Sequence, residues 1–229
     1  MKKYLQILIS SILSGFCITF GATVYLLSLN YGNGAFGARI AGAFMFCIGL
    51  YTIIHFGLWL YTGKVGYILD NKPNYILQVV VCFIGNAIGS MLLSYLIGLT
   101  SQGEILKTQA TPIVNAKLNA SWYSILIMSI MCGIMIYLAV EGHKRAKYNL
   151  AKAIFAFMPI ILFILAGFEH VVANVTYFMY AGIFSWKALL YFVIMFFGNA
   201  IGSLIFDSLL KLVNYLGKEK EVKEEIKEN

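Results

Sequence analysis

Apolar residues fill six long stretches of this chain, at about 5–29, 38–69, 75–100, 121–140, 150–183 and 187–214, and polar residues gather in the gaps. A helix needs about 20 mostly apolar residues to cross the hydrocarbon core of a bilayer, so each stretch predicts one transmembrane span. The second and fifth are too long for a single straight crossing. Each is interrupted, by Tyr61-Thr62-Gly63-Lys64 in one and by Glu169-His170-Val171-Val172-Ala173-Asn174 in the other. The pattern predicts either tilted helices with a glycine kink or a pair of broken helices of the kind transporters place around a midplane site. Irregular backbone survives at that depth only where protein or a water cavity satisfies it.

The same pattern repeats within the chain. Phe83-Ile84-Gly85-Asn86-Ala87-Ile88-Gly89-Ser90 recurs as Phe196-Phe197-Gly198-Asn199-Ala200-Ile201-Gly202-Ser203, 113 residues on, with seven of eight positions identical. That offset covers three spans, so the second copy is expected upside down relative to the first, as an inverted repeat of spans 1–3 and 4–6. The interruptions correspond near an offset of 110, Gly57 to Gly63 against Gly167 to Ala173. Each copy carries G-x-x-x-G, a spacing that lets helix backbones approach closely. Asn86 and Asn199, polar side chains inside apolar spans, are expected either to cap broken backbone nearby or to make plain interhelical hydrogen bonds.

Composition narrows the class. Hydrophobic residues make up 60% and charged residues 12%, with a mean hydropathy of +0.81. Soluble domains average about 25% charged residues, so a water-soluble enzyme is nearly excluded and a disordered chain excluded outright. The reading is an all-α integral membrane protein and not an enzyme. It has one pore domain over 1–215, in halves of about 1–110 and 111–215, and a charged, solvated tail over 216–229.

The net charge of +7 is a topology signal. With both termini inside, thirteen Lys and Arg fall on inner segments and four (Arg39, Lys107, Lys117 and Lys187) on outer ones, which satisfies the positive-inside rule. The basic residues do not interleave with aromatics outside the spans, so nucleic acid is not an expected partner. Cys17, Cys47, Cys82 and Cys132 all lie in apolar runs without a C-x-x-C pair. They indicate neither a metal site nor disulfides, and no cofactor is expected. Trp122 and Trp186 fall at span ends, where interfacial belts form.

His170 is the histidine set beside an acid, Glu169, inside an interrupted span. Ionisable groups at that depth mark a functional path by default, and the matching break at Thr62 would bring a hydroxyl and an imidazole together near the repeat's centre. His55, in an uninterrupted apolar stretch, reads as a packing residue, and His143 as part of a solvated basic loop. Histidines in two spans, His55 and His170, also leave open a haem-binding anchor or sensor. Lys117, in a loop before the fourth span, is either a plain loop lysine or an anion attractor at a pore mouth.

Taken together, these residues resemble the formate/nitrite transporter family. Phe168-Glu169-His170-Val171-Val172-Ala173-Asn174 is similar to its fifth-span signature, Leu60-Tyr61-Thr62-Gly63 to its second-span loop, and both G-N-A-I-G segments to its third and sixth spans. The resemblance implies an aquaporin-like hourglass of six helices in the cell membrane, assembled as a homopentamer with one pore per protomer. Such a pore passes small monovalent anions of weak acids such as formate, nitrite or hydrosulfide. It further implies His170 as the central histidine, Thr62 as the threonine facing it, Lys117 as the vestibule lysine, and Glu169 and Asn174 as parts of the same motif. Phe46, Leu50 and Phe163 would form an outer constriction, and Leu60, Tyr61 and Ile136 an inner one.

This chain departs from the family pattern at several points. Trp59 stands where a Glu is usual three residues before the threonine, and Lys64 where an Asn is common two after it. Cys132-Gly133 replaces a Cys-Asn pair, and Tyr61 replaces a constriction Phe. Little precedes the first span, so the amphipathic gating segment of some members is expected to be missing. Lys64 adds positive charge on the inner side, which would favour a more strongly anionic permeant.

Overall fold

The computed structural model describes the backbone of residues 2–228 and the side chains of residues 2–217. Its helices are α1 (Lys2–Tyr31), α2 (Phe36–His55), α3 (Tyr61–Lys64, continued by a 3-10 segment Val65–Asp70), α4 (Asn74–Gly98) and α5 (Gly103–Asn119). They are followed by α6 (Trp122–Arg145), α7 (Asn149–Leu165), α8 (Val171–Ala181) and α9 (Trp186–Glu228). Among the described residues five are long and apolar enough to cross a membrane: α1, α2, α4, α6 and α9 over Trp186–Gly217. α7 and α8 are shorter apolar helices. The backbone of the tail expected at 216–229 continues α9 as helix to Glu228; the solvation of its side chains lies outside the described residues.

Both interruptions are helix breaks rather than kinks, and they are built alike. α2 ends where Gly57 takes φ +63°, and α7 ends where Gly167 takes φ +71°, a left-handed conformation that suits glycine because it has no Cβ. The N–H of Leu58 reaches back to Ile53 O at 2.9 Å, and the N–H of Phe168 to Phe163 O at 2.9 Å, the wrap-back that closes many helix C-termini. Extended backbone then leads through Leu60 into α3 and through His170 into α8.

Close packing between helices follows the G-x-x-x-G pattern. α4 lies on α1, and α9 lies on α6. A Cβ added at Gly89 would overlap the backbone of Ile12, and one at Gly202 the backbone of Ile130. Hydroxyls fasten the same seams: Ser90 Oγ donates to Gly15 O at 3.3 Å and Ser203 Oγ to Gly133 O at 3.0 Å. Two further rungs tie α1 to α8, Thr19 Oγ1 to Thr176 Oγ1 at 2.9 Å and Thr23 Oγ1 to Tyr180 Oη at 2.6 Å. Leu5, Ile9, Phe44, Ile48, Leu189 and Phe197 are large apolar side chains left exposed on the outer surface, which suits lipid or a neighbouring subunit.

The helix α5 was not expected. Residues 101–120 carry Glu104, Lys107, Lys117 and Pro112 and read as an outer loop. Yet Leu106, Ala110 and Val114, spaced four apart, form a fully buried stripe, the helical period that charge and proline had masked. α5 packs on α8 and α1 and thereby carries Lys117 to the break before α8.

Candidate functional site

The two breaks leave backbone groups without helical partners, and one amide closes each. Asn86 Oδ1 accepts from Tyr61 N at 2.8 Å, while its Nδ2 donates to Trp59 O at 2.9 Å and Ser11 O at 2.8 Å. Asn199 Oδ1 accepts from Val171 N at 3.0 Å, while its Nδ2 donates to Glu169 O and Ser129 O, both at 2.8 Å. Each side chain therefore both caps a break and links two helices. An asparagine fits because its amide offers an acceptor and two donors at once.

This correspondence fixes the alignment of the two breaks. Trp59 matches Glu169, Leu60 matches His170 and Tyr61 matches Val171. Thr62 is thus not the repeat counterpart of His170, although the fold brings the two together: Thr62 Oγ1 lies 2.9 Å from His170 Nε2. Both are buried, at 1% and 2% exposure.

His170 Nδ1 accepts from the N–H of Ala173 at 3.0 Å, so the imidazole caps the N-terminus of α8. A nitrogen that accepts carries no proton, so in the neutral ring the proton sits on Nε2 and points at Thr62. Thr62 accepts it and keeps its own hydroxyl hydrogen free to donate. With both ring nitrogens engaged, axial ligation of a haem by His170 would require the cap or the Thr62 contact to open. His55, the other residue considered for that role, is exposed beside Tyr51, ring centroids 4.5 Å apart, rather than packed in the interior.

Glu169 and Lys117 form an ion pair of 2.5 Å with side-chain exposures of 6% and 13%. Asn174 Nδ2 adds a hydrogen bond to the same carboxylate oxygen at 2.8 Å. Lys117 is therefore a helical, largely buried and neutralised charge, not a loop lysine.

One cavity reaches this centre, and a second lies beside α3, lined by the neighbours of Thr62. The larger, about 460 Å³, is lined by Lys117, Glu169, His170, Asn174, Phe163 and Arg39 among others. The smaller, about 270 Å³, lies toward the chain termini and includes Leu50, Leu60, Lys64, His143 and Lys144. Phe163 stacks on His170 with ring centroids 5.8 Å apart and meets Phe46 edge-on at 6.0 Å.

The residues expected at the constrictions are spread around the two cavities, with Phe163 in the wall of the first. Leu50, placed with Phe46 and Phe163, lines the second cavity. Tyr61 lines neither cavity: its ring stacks on Phe196 at 4.5 Å, and its hydroxyl donates to Phe196 O at 2.7 Å. Sequence spacing does not report the rotation of a four-residue helix, and the apolar pocket between Phe83 and Phe196 claims the ring. Ile136 is buried on α6, which packs against α3. His143, expected in a solvated loop, is half-buried near the end of α6, with Nδ1 3.1 Å from Lys152 O.

The family model described as formate/nitrite transporter matches residues 1–216. An uncharacterized transporter of Bacillus subtilis, YrhG, is 30% identical over 202 residues, covering 82% of this chain and 76% of YrhG. The formate channel FocA of Haemophilus influenzae is 27% identical over 177 residues, covering 72% of this chain and 62% of FocA. Among solved structures, a pentameric formate channel with formate bound superposes with a TM-score of 0.80 at 21% identity, covering 94% of this chain and 98% of that one. An ion channel of the same family gives 0.77 at 21% identity, covering 92% and 90%. At these identities the structural likeness speaks for the fold.

Proposed function

Because the chain belongs to the formate/nitrite transporter family, we propose that it passes small monovalent anions of weak acids across a membrane, through a path whose narrowest point is the His170–Thr62 contact. The observation that carries this reading is that buried polar pair with Phe163 stacked beside it, one cavity reaching His170 and a second reaching Leu60 and Gly63, which flank Thr62 in the chain. Formate, nitrite and hydrosulfide are the permeant class, by likeness to the formate channels it resembles. The activity is transport and not catalysis.

A bare anion pressed into an apolar ring loses its hydration without gaining a partner, a transfer too costly unless the charge is neutralised or contacted. A weak acid has a remedy, since one proton removes the charge. The anion travels inward past Lys117, takes a proton from the solvent that reaches that cavity, and crosses the Phe163–His170–Thr62 region as the neutral acid. There the free hydroxyl hydrogen of Thr62 offers it a hydrogen bond. His170 biases this step. Neutral, it keeps a fixed positive charge out of the constriction, where one would trap the anion. Protonation at Nδ1 would set two N–H groups against each other at Ala173, so a full proton relay through the ring also requires the first turn of α8 to loosen.

We further propose six spans arranged as an inverted repeat, with α2 and α3 forming the second and α7 and α8 the fifth. Supporting it, α3 and its 3-10 continuation run along α9 in the same sense, Tyr61 beside Phe196 and Asp70 beside Lys211. They run against α4, with Tyr61 at Asn86 and Lys64 at Tyr75. The two G-N-A-I-G copies then point in opposite directions. A homopentamer in the cell membrane with cytoplasmic termini completes the proposal. It is supported by likeness to a pentameric formate channel and by the distribution of Lys and Arg.

His170→Asn tests the mechanism. Asparagine still caps a helix but does not titrate. In proteoliposomes the variant is expected to lose proton-coupled flux or to become an electrogenic anion leak. An unchanged pH profile with the same charge moved per ion would show that His170 takes no part in proton handling.

A further inference from the structure

The two breaks share a backbone plan but not a charge plan. On the α8 side the residue before the cap is Glu169, and its carboxylate neutralises Lys117. On the α3 side the matching residue is Trp59, and the nearby cation is Lys64, whose Nζ lies 5.1 Å from the Trp59 ring centroid. A ring face holds an ammonium group but leaves its charge uncancelled. Among the described residues Lys64 has no carboxylate within ion-pair distance.

The surroundings add to this excess. The cavity Lys64 lines also takes in Lys144 and His143 and has no acidic residue in its wall. The acids nearby are held mainly by other cations and hydroxyls. Glu141 is held by Arg145 at 2.7 Å and by the Tyr67 hydroxyl at 2.8 Å, with Lys144 at a looser 3.9 Å. Asp70 and Asp207 both pair with Lys211. His143 turns Nδ1 to Lys152 O, so Nδ1 carries the donated proton and Nε2 is left as its second polar atom. The rest of the wall is apolar, with Leu50, Ile53 and Leu60, and low-dielectric walls strengthen the field inside a cleft.

We propose that this second cavity is an anion-binding site in its own right, holding one small monovalent anion between Lys64 and Lys144, apart from the His170–Thr62 contact. The site follows from the charge arrangement and stands whether or not the anion goes on to cross. If transport occurs as proposed above, the site loads the path from the side of the chain termini, while the opposite cavity offers Arg39 and, beside His170, the neutralised Lys117–Glu169 pair.

Trp59 supplies a built-in reporter. In a Trp122→Phe, Trp186→Phe background it is the remaining tryptophan, and iodide quenches its fluorescence on contact while neutral acrylamide reports exposure alone. In detergent solution iodide quenching is expected to saturate and to be relieved by added formate. Lys64→Gln should lower the ratio of iodide to acrylamide quenching by about fivefold, the factor that corresponds to one partly exposed charge–charge contact. Lys64→Arg should restore it. A ratio unchanged by Lys64→Gln, or iodide quenching that formate does not relieve, would overturn the site. Because no gradient is involved, a protein that binds iodide here but carries no flux would refute the transport reading and leave this one standing.

Discussion

Replacing Asn199 by leucine keeps the side chain's approximate volume and removes every polar atom that serves the second break. Three backbone groups lose a partner: Val171 N, Glu169 O and Ser129 O. Ser129 O lies inside α6 and retains its helical hydrogen bond, so two groups are orphaned, both at a buried helix break. A buried polar group left unpaired costs about 1–3 kcal/mol, which sets the loss at roughly 2–6 kcal/mol before the added apolar area returns about 1 kcal/mol. Proteins as a class are stable by about 5–15 kcal/mol, so the change removes a large share. Asn86→Leu orphans the matching pair, Tyr61 N and Trp59 O, and should destabilise to a similar degree. Asn199→Asp keeps the acceptor for Val171 but turns a second oxygen toward two carbonyls, and should be no better than leucine. Detergent-solubilised protein unfolded by heat or SDS and followed by tryptophan emission gives the stabilities, and liposome flux gives the function. If Asn199→Leu stays within about 1 kcal/mol of wild type, below the cost of even one orphaned group, and transports normally, the amides do not hold the breaks.

Two further predictions test the seams and the ion pair. Gly89→Ala and Gly202→Ala should each destabilise by about 1–3 kcal/mol, the usual range for overpacking, because the new methyl meets backbone of Ile12 or Ile130; equal unfolding midpoints for mutants and wild type would refute this. Glu169→Gln leaves Lys117 buried without its counter-charge and should cost about 3–5 kcal/mol. Adding Lys117→Met should recover part of that loss, so a double-mutant cycle with no coupling would show that the pair is energetically idle.

Much of this architecture was legible because it rests on local chemistry. An asparagine amid G-x-x-x-G is rare enough in an apolar run that two copies reveal a repeat, and overlong stretches announce the breaks. Their cause was less visible. Gly57 and Gly167 stood out at matching positions, but sequence alone left a kink and a break equally open, and their left-handed φ decides for the break. α5 was hidden because charged residues and Pro112 outweighed its buried stripe. The juxtaposition of Thr62 and His170, 108 residues apart, was legible from the matching breaks and the family motifs, but the ion pair of Lys117 with Glu169, 52 residues away, was not. The same holds for the rotation of α3 that sends Tyr61 toward Phe196.

The amide clamps carry a consequence for how such a chain is made. Every partner of Asn86 lies between Ser11 and Asn86, and every partner of Asn199 between Ser129 and Asn199. A ribosome that has delivered α4 has already delivered everything needed to seal the first break, so the leading half need not wait in the bilayer with bare peptide groups while its twin is synthesised. The hydroxyl rungs between α1 and α8, and the Thr62–His170 contact, form only when the trailing half arrives. Biogenesis can then proceed as two self-sealing insertions followed by one docking step, and the proposed conduit comes into being at that last step.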